Sequence, residues 1–181
     1  YFLFRPGWKG LARHKTIICK RLMHQSRSIV LRQIKYSESS LIIKIYTEKE
    51  GLLSFIAKGV RGKRGKLRLA QFQPLNLLDL SYSEARKSSL RKIIDLKVAE
   101  PFIDLPFNPV KRSIAIFMAE LIQNAIKEQE PNGKLFEFLY NSILWVDLSK
   151  KSYNHFHLFF MMKFTKHLGF FPTQEGLKEA K

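Results

Sequence analysis

The period of the hydrophobic pattern changes once along this chain, at Glu100-Pro101. Before that point apolar and polar residues alternate, the spacing of a half-buried strand. After it, apolar residues recur every three or four positions, the spacing of one helix face. A chain written this way folds as a strand-built part followed by a helix-built part, an α+β arrangement. Five strands are expected. The first runs from Ser26, where Ile29 and Leu31 alternate with Val30 and Arg32. The second, Leu41 to Thr47, sets Leu41, Ile43 and Ile45 against Ile42, Lys44 and Tyr46. The third opens at Gly51 and sets Leu53, Phe55 and Ala57 against Ser54, Ile56 and Lys58. The fourth is Pro74 to Tyr82, and the fifth is Leu90 to Val98, with Leu90, Lys92, Ile94, Leu96 and Val98 on one face. Polar turns join them. Five short strands in about 75 residues suit a small closed barrel, which leaves no sheet edge exposed.

Pro101, Pro106 and Pro109 mark the boundary. Asn108 before Pro109 reads as an N-cap followed by proline at the first helical position. Ile114, Phe117, Met118, Leu121, Ile122 and Ala125 form one helical stripe, broken by Pro131-Asn132-Gly133. Leu135, Phe138, Leu139, Ser142, Ile143 and Val146 form a second. A third holds Phe156, Phe159, Phe160, Lys163, Phe164, His167 and Leu168, with Gly169 as its C-cap.

The third strand delivers GVRGKRGK, a glycine-rich stretch bearing an unusual charge. Lys58, Arg61, Lys63, Arg64, Lys66 and Arg68 place six cations in eleven residues, with no carboxylate among them. A flexible cationic loop on a strand suits contact with a phosphate backbone, which needs charge and reach and carries little sequence information. The alternative is a solvated, lysine-rich hairpin. The rest of the chain adds to this charge, for the formal net charge is +17. Residues 1–22 carry six cations and no acid, residues 23–100 sixteen against seven, and residues 101–181 ten against eight. A basic front and a nearly neutral back read as a binding module followed by a structural or partner-binding one. A polyanion is implied, either nucleic acid or an anionic membrane surface. No apolar run approaches the ~20 residues that span a bilayer, so the membrane reading rests on charge alone.

Residues 1–22 lack a clear period and the order of a secretory signal. Met23 stands immediately before the first patterned strand, which points to Met23 as the natural start and to residues 1–22 as an unstructured basic leader; a functional basic arm is the alternative. Cys19 is the only cysteine, so no internal disulfide forms and the chain fits a reducing cytoplasm.

No phosphate-cradling glycine motif occurs. His155 and His157 are two apart and point apart on a helix, so they read as surface or helix-face residues rather than metal ligands. Glu48 and Glu50 flank a turn and read as solvated residues rather than an acid/base pair. No nucleophile can be named with its base, so the sequence argues for binding and against an enzyme. Tyr36, Tyr46, Phe55, Phe72 and Tyr82 interleave the basic strands, as rings do where single-stranded nucleic acid stacks beside a cationic groove. Most are expected in the barrel core. Tyr46, sharing its face with Lys44, is the candidate for stacking.

SRSIVLRQIKYSESSLIIKIYTEKEGLLSFIAKGVRGKRG resembles the start of the RecO family of bacterial recombination mediators, with its "IVL" strand, "Y-x-E" turn, "E-x-G" and "AKGxR". FQPLNLLDLSY, LKVAEPF and the LGFFP end of the helical part are also similar to that family. The resemblance covers roughly residues 24–172. It implies an N-terminal OB-fold barrel (residues 23–100) followed by an α-helical domain (residues 101–181), incomplete at its C-terminus because many members continue for some 60 residues. It implies a cytoplasmic, nucleoid-associated, non-enzymatic DNA repair protein that binds single- and double-stranded DNA, anneals complementary strands and helps to load RecA. RecR and the acidic C-terminal tail of single-strand binding protein are the implied partners. The four-Cys zinc site of some members has no counterpart here, and no cofactor is expected. On this reading Arg32, Lys35, Lys44, Tyr46, Lys58, Arg61, Lys63, Arg64, Lys66 and Arg68 contact DNA. Lys163 and Lys166 edge an apolar groove for the acidic tail. The rival is an RNA-binding OB protein of structural or translation-associated role, which would favour structured RNA and would not anneal strands.

Overall fold

The computed structural model describes residues 23–60, 67–83, 90–127, 130–151 and 153–170. Five strands, β1 (Met23–Lys35), β2 (Ser40–Thr47), β3 (Gly51–Lys58), β4 (Leu77–Ser83) and β5 (Leu90–Val98), are followed by α1 (Pro109–Ala125), α2 (Gly133–Leu148) and α3 (Phe156–His167). The strands close in the order β1-β2-β3-β5-β4 and back to β1. All neighbours are antiparallel except β3 and β5. This closed five-stranded barrel followed by helices is an OB-fold barrel with a helical C-terminal part. Between the second and third strands the chain reverses at Gly51, whose φ of 71° a side chain would resist. There Thr47 Oγ1 donates to the Gly51 carbonyl at 2.9 Å.

Two apolar cores share the barrel wall. Val30, Leu41, Ile43, Ile45, Phe55, Phe72, Leu78, Leu80, Tyr82 and Ile93 fill the interior. Ile29, Leu31, Tyr46, Leu75 and Leu77 face outward and join the helix residues Ile114, Met118, Ile122, Phe136, Leu139, Ile143 and Phe160. The second core makes one side of the barrel a floor for the helices. The helices start where local chemistry starts them. Asn108 Oδ1 accepts the backbone N–H of Val110 at 3.1 Å and of Lys111 at 3.3 Å, and Asn132 accepts that of Leu135 at 3.0 Å.

Two bulges decide which way strand residues point. In β1, Val30 pairs with Ile45 but Arg32 pairs with Lys44, leaving Leu31 as the inserted residue. Because side chains alternate with period two, one inserted residue moves everything beyond it to the other face. Ile29 and Leu31 both face the helices, and beyond the insertion Arg32 and Ile34 turn out to solvent instead of facing the interior with Val30. In β4–β5, Leu80 pairs with Leu96 but Tyr82 pairs with Ile93. The expected single face of Leu90, Lys92, Ile94, Leu96 and Val98 is thereby broken: Ile93 enters the interior while Ile94 is exposed. The fourth strand also starts later than its pattern implies. Leu75 has φ 67°, outside the extended region, and its N–H donates to the Val30 carbonyl at 2.7 Å. That turn drops the Leu75 side chain into the helix-facing core.

Candidate nucleic-acid interface

The barrel side away from the helices is built from β1 beyond its bulge, β2 and β3. Along its rows, Arg32 lies opposite Lys44, and Lys44 opposite Ser54. Ile34 lies opposite Ile42 and Ile42 opposite Ile56, beside which runs Lys92 of the parallel β5. Lys58 lies opposite Ser40. Arg32, Lys35, Lys44, Lys58 and Lys92 are all exposed. Among the described residues none of these five forms an ion pair. Like charges placed directly across an antiparallel pair are destabilising, on the order of 0.2–1 kcal/mol. Arg32 and Lys44 therefore hold an unfavourable pairing that an anion laid between them would relieve.

Sequence reasoning marked Arg32, Lys35, Lys44, Lys58 and Arg68 as phosphate contacts, and the fold brings the first four onto or beside this face. Arg68 is exposed at the start of a short 3-10 turn, Leu69–Phe72. Asn76 ties that turn to β4 by donating to the Ala70 and Gln71 carbonyls at 2.9 and 3.1 Å. Arg61, Lys63, Arg64 and Lys66 lie outside the described residues, as do residues 1–22. Val60, the last described residue before Arg61, donates its N–H to the Ser39 carbonyl of the β1–β2 turn at 3.2 Å.

Tyr46 corrects the sequence reading. It points outward as its alternation requires, yet it is 1% exposed, because at its level the outer wall is the helix floor. Its ring packs 6.1 Å from that of Phe136 in α2, so no base can reach it. Glu48 and Glu50 also differ from expectation, for neither is a simply solvated turn residue. Glu50 accepts the Tyr82 hydroxyl at 2.6 Å and pairs with Arg91 at 2.7 Å and His24 at 3.0 Å. Burial pushes the Glu50 carboxyl up, but the hydrogen bonds from Tyr82 and Arg91 outweigh it and leave it below its ordinary value. Burial, and then Glu50, raises the Tyr82 hydroxyl. Glu48 is lowered by its hydrogen bonds from Arg27, which measure 2.9 and 3.1 Å. Glu48 and Glu50 are thus engaged away from the open face. On β1–β4–β5 the outward row is balanced, with Arg27 opposite Asp79 and Asp79 opposite Lys97.

A second candidate site is a groove in the helical part. Phe138, Asn141, Ser142, Trp145, His155, Phe156, Phe159 and Lys163 line an open groove of about 700 Å³ between α2 and α3. Trp145 is 42% and Phe159 52% exposed, and Lys163 Nζ sits 5.6 Å from the Phe159 ring centre. Of the two expected cations, Lys163 lines the groove. Lys166 is exposed on the last turn of α3. His167 stacks on Phe138 at 4.6 Å, and its imidazole is lowered by burial and by the charges of Lys166 and Lys163.

The family model described as Recombination protein O N terminal matches residues 22–102, and that described as Recombination protein O C terminal matches residues 106–175. The chain belongs to the RecO family. Curated RecO relatives named DNA repair protein RecO include one from Phocaeicola vulgatus, 35% identical over 88% of this chain and 66% of its own length. Another, from Bacteroides fragilis, is 37% identical over 84% of this chain and 63% of its own. One from Flavobacterium psychrophilum is 35% identical over 82% of this chain and 62% of its own. The chain thus spans a little under two thirds of these relatives. Among the described residues no helix is long and apolar enough to cross a membrane.

Three residues that hold this RecO-family chain together escaped the sequence reading. Arg27 leaves β1 to pair with Glu48 and with Glu137 of α2, and its guanidinium lies 5.2 Å from the Tyr140 ring and 5.5 Å from that of Phe136. Asp147, 3% exposed near the end of α2, accepts the N–H groups of Ile103 (2.9 Å), Asp104 (3.0 Å) and Leu105 (2.7 Å) in the connection from barrel to helices. Lys111, 1% exposed, donates to the Asp147 carbonyl at 2.7 Å and pairs with Asp104 at 2.8 Å. The one available signal was charge inside a strand pattern for Arg27 and inside or beside a helical stripe for Lys111 and Asp147, which sequence alone cannot separate from solvated charge.

Proposed function

We propose that this chain is a non-enzymatic, cytoplasmic DNA repair protein. In this role residues 23–100 bind and anneal single strands, and residues 101–181 receive the acidic tail of single-strand binding protein. The observation that carries the reading is the open barrel face, where Arg32 opposes Lys44 with Lys35, Lys58 and Lys92 around them and none is paired among the described residues. Cations set this way neutralise phosphates on two strands at once, which lowers their mutual repulsion and lets complementary bases meet without ATP. The names of the relatives support a repair role, and the apolar α2–α3 groove with Lys163 suits a peptide that carries both hydrophobic and acidic residues. RecR as partner, loading of RecA and nucleoid association belong to the same reading.

The test measures binding of the full chain to single-stranded DNA against salt, by fluorescence anisotropy. It is run beside a variant with Arg61, Lys63, Arg64 and Lys66 changed to Ala. Loss of affinity with a log–log slope flattened by about 0.7 per lost phosphate contact supports the loop as the grip. Unchanged affinity and slope would make the loop a solvated hairpin and send the search for the DNA site elsewhere. Preference for structured RNA without annealing would favour the RNA-binding alternative.

A further inference from the structure

We infer that Tyr36, in the turn between β1 and β2, is the ring on which a base of single-stranded nucleic acid stacks. The inference rests on reading the open face as a nucleic-acid surface and adds what that face otherwise lacks. Its cations grip phosphates, and its remaining residues, Ile34, Ile42, Ser54 and Ile56, offer no aromatic plane. Phosphate contacts alone do not distinguish a single strand from a duplex. A stacking ring does, because only an unpaired base can leave its neighbours and lie on it.

Of the Phe and Tyr rings in the described barrel, Tyr46, Phe55, Phe72 and Tyr82 are 0–1% exposed, whereas Tyr36 is 64% exposed. Its backbone is held, with its N–H donating to the Ser40 carbonyl at 3.1 Å. The ring itself makes no aromatic, cation–π or side-chain hydrogen-bond contact among the described residues, so an exposed apolar plane stands on a fixed base. Its position in the charge pattern is the second observation. Tyr36 follows Lys35, and Lys58 sits opposite Ser40, where the turn ends. Ser39 of the same turn accepts from Val60, two residues beyond Lys58. A nucleic-acid strand running from the Arg32–Lys44 pair along β1 and β2, past the Ile34–Ile42 pair and toward Lys58, reaches the turn that carries the ring. Glu38, exposed in the same turn, offsets part of the charge of Lys35, and the ring adds an attraction that the turn's own charge does not supply.

The experiment compares the full chain with Tyr36→Leu and Tyr36→Phe by anisotropy, using a fluorescent single-stranded oligonucleotide and a duplex of the same sequence over a salt series. Tyr36→Leu keeps apolar bulk and removes the π-face. It should weaken single-strand binding by about 5- to 100-fold, the loss of one base stack. The salt slope and the duplex affinity should stay at wild-type values, since no phosphate contact is removed. Tyr36→Phe should bind as wild type. Equal single-strand affinity for Tyr36→Leu and wild type overturns the inference, as does an equal loss on both DNAs with a flattened slope, which would mean that Tyr36 only positions cations. Failure of the underlying reading looks different: the wild-type chain itself would show no salt-dependent DNA binding. The ring is exposed, so thermal melts of the three proteins should coincide.

Discussion

The Arg32–Lys44 pairing makes a prediction in which stability and binding move in opposite directions. In Lys44→Glu a like-charged cross-strand pair becomes an oppositely charged one on an exposed face. Removing the repulsion and adding an attraction each contribute on the order of 0.2–1 kcal/mol, so the variant should gain about 1 kcal/mol. For a chain of this size that raises Tm by roughly 2–4 °C. Binding should move the other way. One phosphate contact is lost and a carboxylate stands in its place, so the log–log salt slope should fall by about 0.7. Affinity near 0.1 M salt should fall by about fivefold from the lost counterion release, and further from repulsion by the new carboxylate. Lys44→Gln isolates the first half of each effect. Thermal melts followed by circular dichroism and anisotropy against salt measure the two sides on the same samples. If Lys44→Glu melts lower than wild type, the pair is not the unfavourable one its register implies. If it melts higher but binds single-stranded DNA with unchanged slope, the open face does not touch phosphate.

Asp147→Ala should leave three N–H groups of the barrel–helix connection without an acceptor and cost about 3 kcal/mol, a fall of roughly 10 °C in Tm. Asp147→Asn should recover part of it, and exposed Asp95→Ala should stay within about 0.5 kcal/mol of wild type. The carboxyls of Glu48 and Glu50 lie below their unfolded value of 4.5, so their stabilisation is fully present above that pH and is lost as pH falls through the folded values. The Tyr82 hydroxyl is raised above 10.0, so its contribution is present below that pH and is lost only as pH rises through the folded value. Urea midpoints taken from about pH 3 to pH 9 should therefore fall on the acid side and stay level toward pH 9, and Glu50→Gln should make the acid limb shallower. An acid limb as steep in Glu50→Gln as in wild type would refute the role given to the Glu50 cluster.

The elements were legible because each rests on local chemistry. Alternation at Leu41–Thr47 and Gly51–Lys58, the Asn108-Pro109 cap and the Gly169 stop depend on neighbours within a few residues, and the structure places β2, β3, α1 and the end of α3 there. The basic character of residues 23–100 and the family resemblance were legible for the same reason. What a strand residue faces was not local. The inserted Leu31 carries no sequence mark, yet it sends Arg32 to the open face opposite Lys44. The insertion in β5 likewise exchanges Ile94 for Ile93 in the core. Tyr46 and Tyr36 have the same chemistry and similar basic surroundings in the sequence. Only the packing of α2 against one side of the barrel buries the first, while the second remains in solvent. Glu50 and Asp147 became structural hubs because folding brought Tyr82, Arg91 and the 103–105 backbone to them from 32 to 44 positions away. Periodicity reports which side of its own strand or helix a residue occupies. Which other element covers that side, and which charge meets it there, is settled only when distant segments pack.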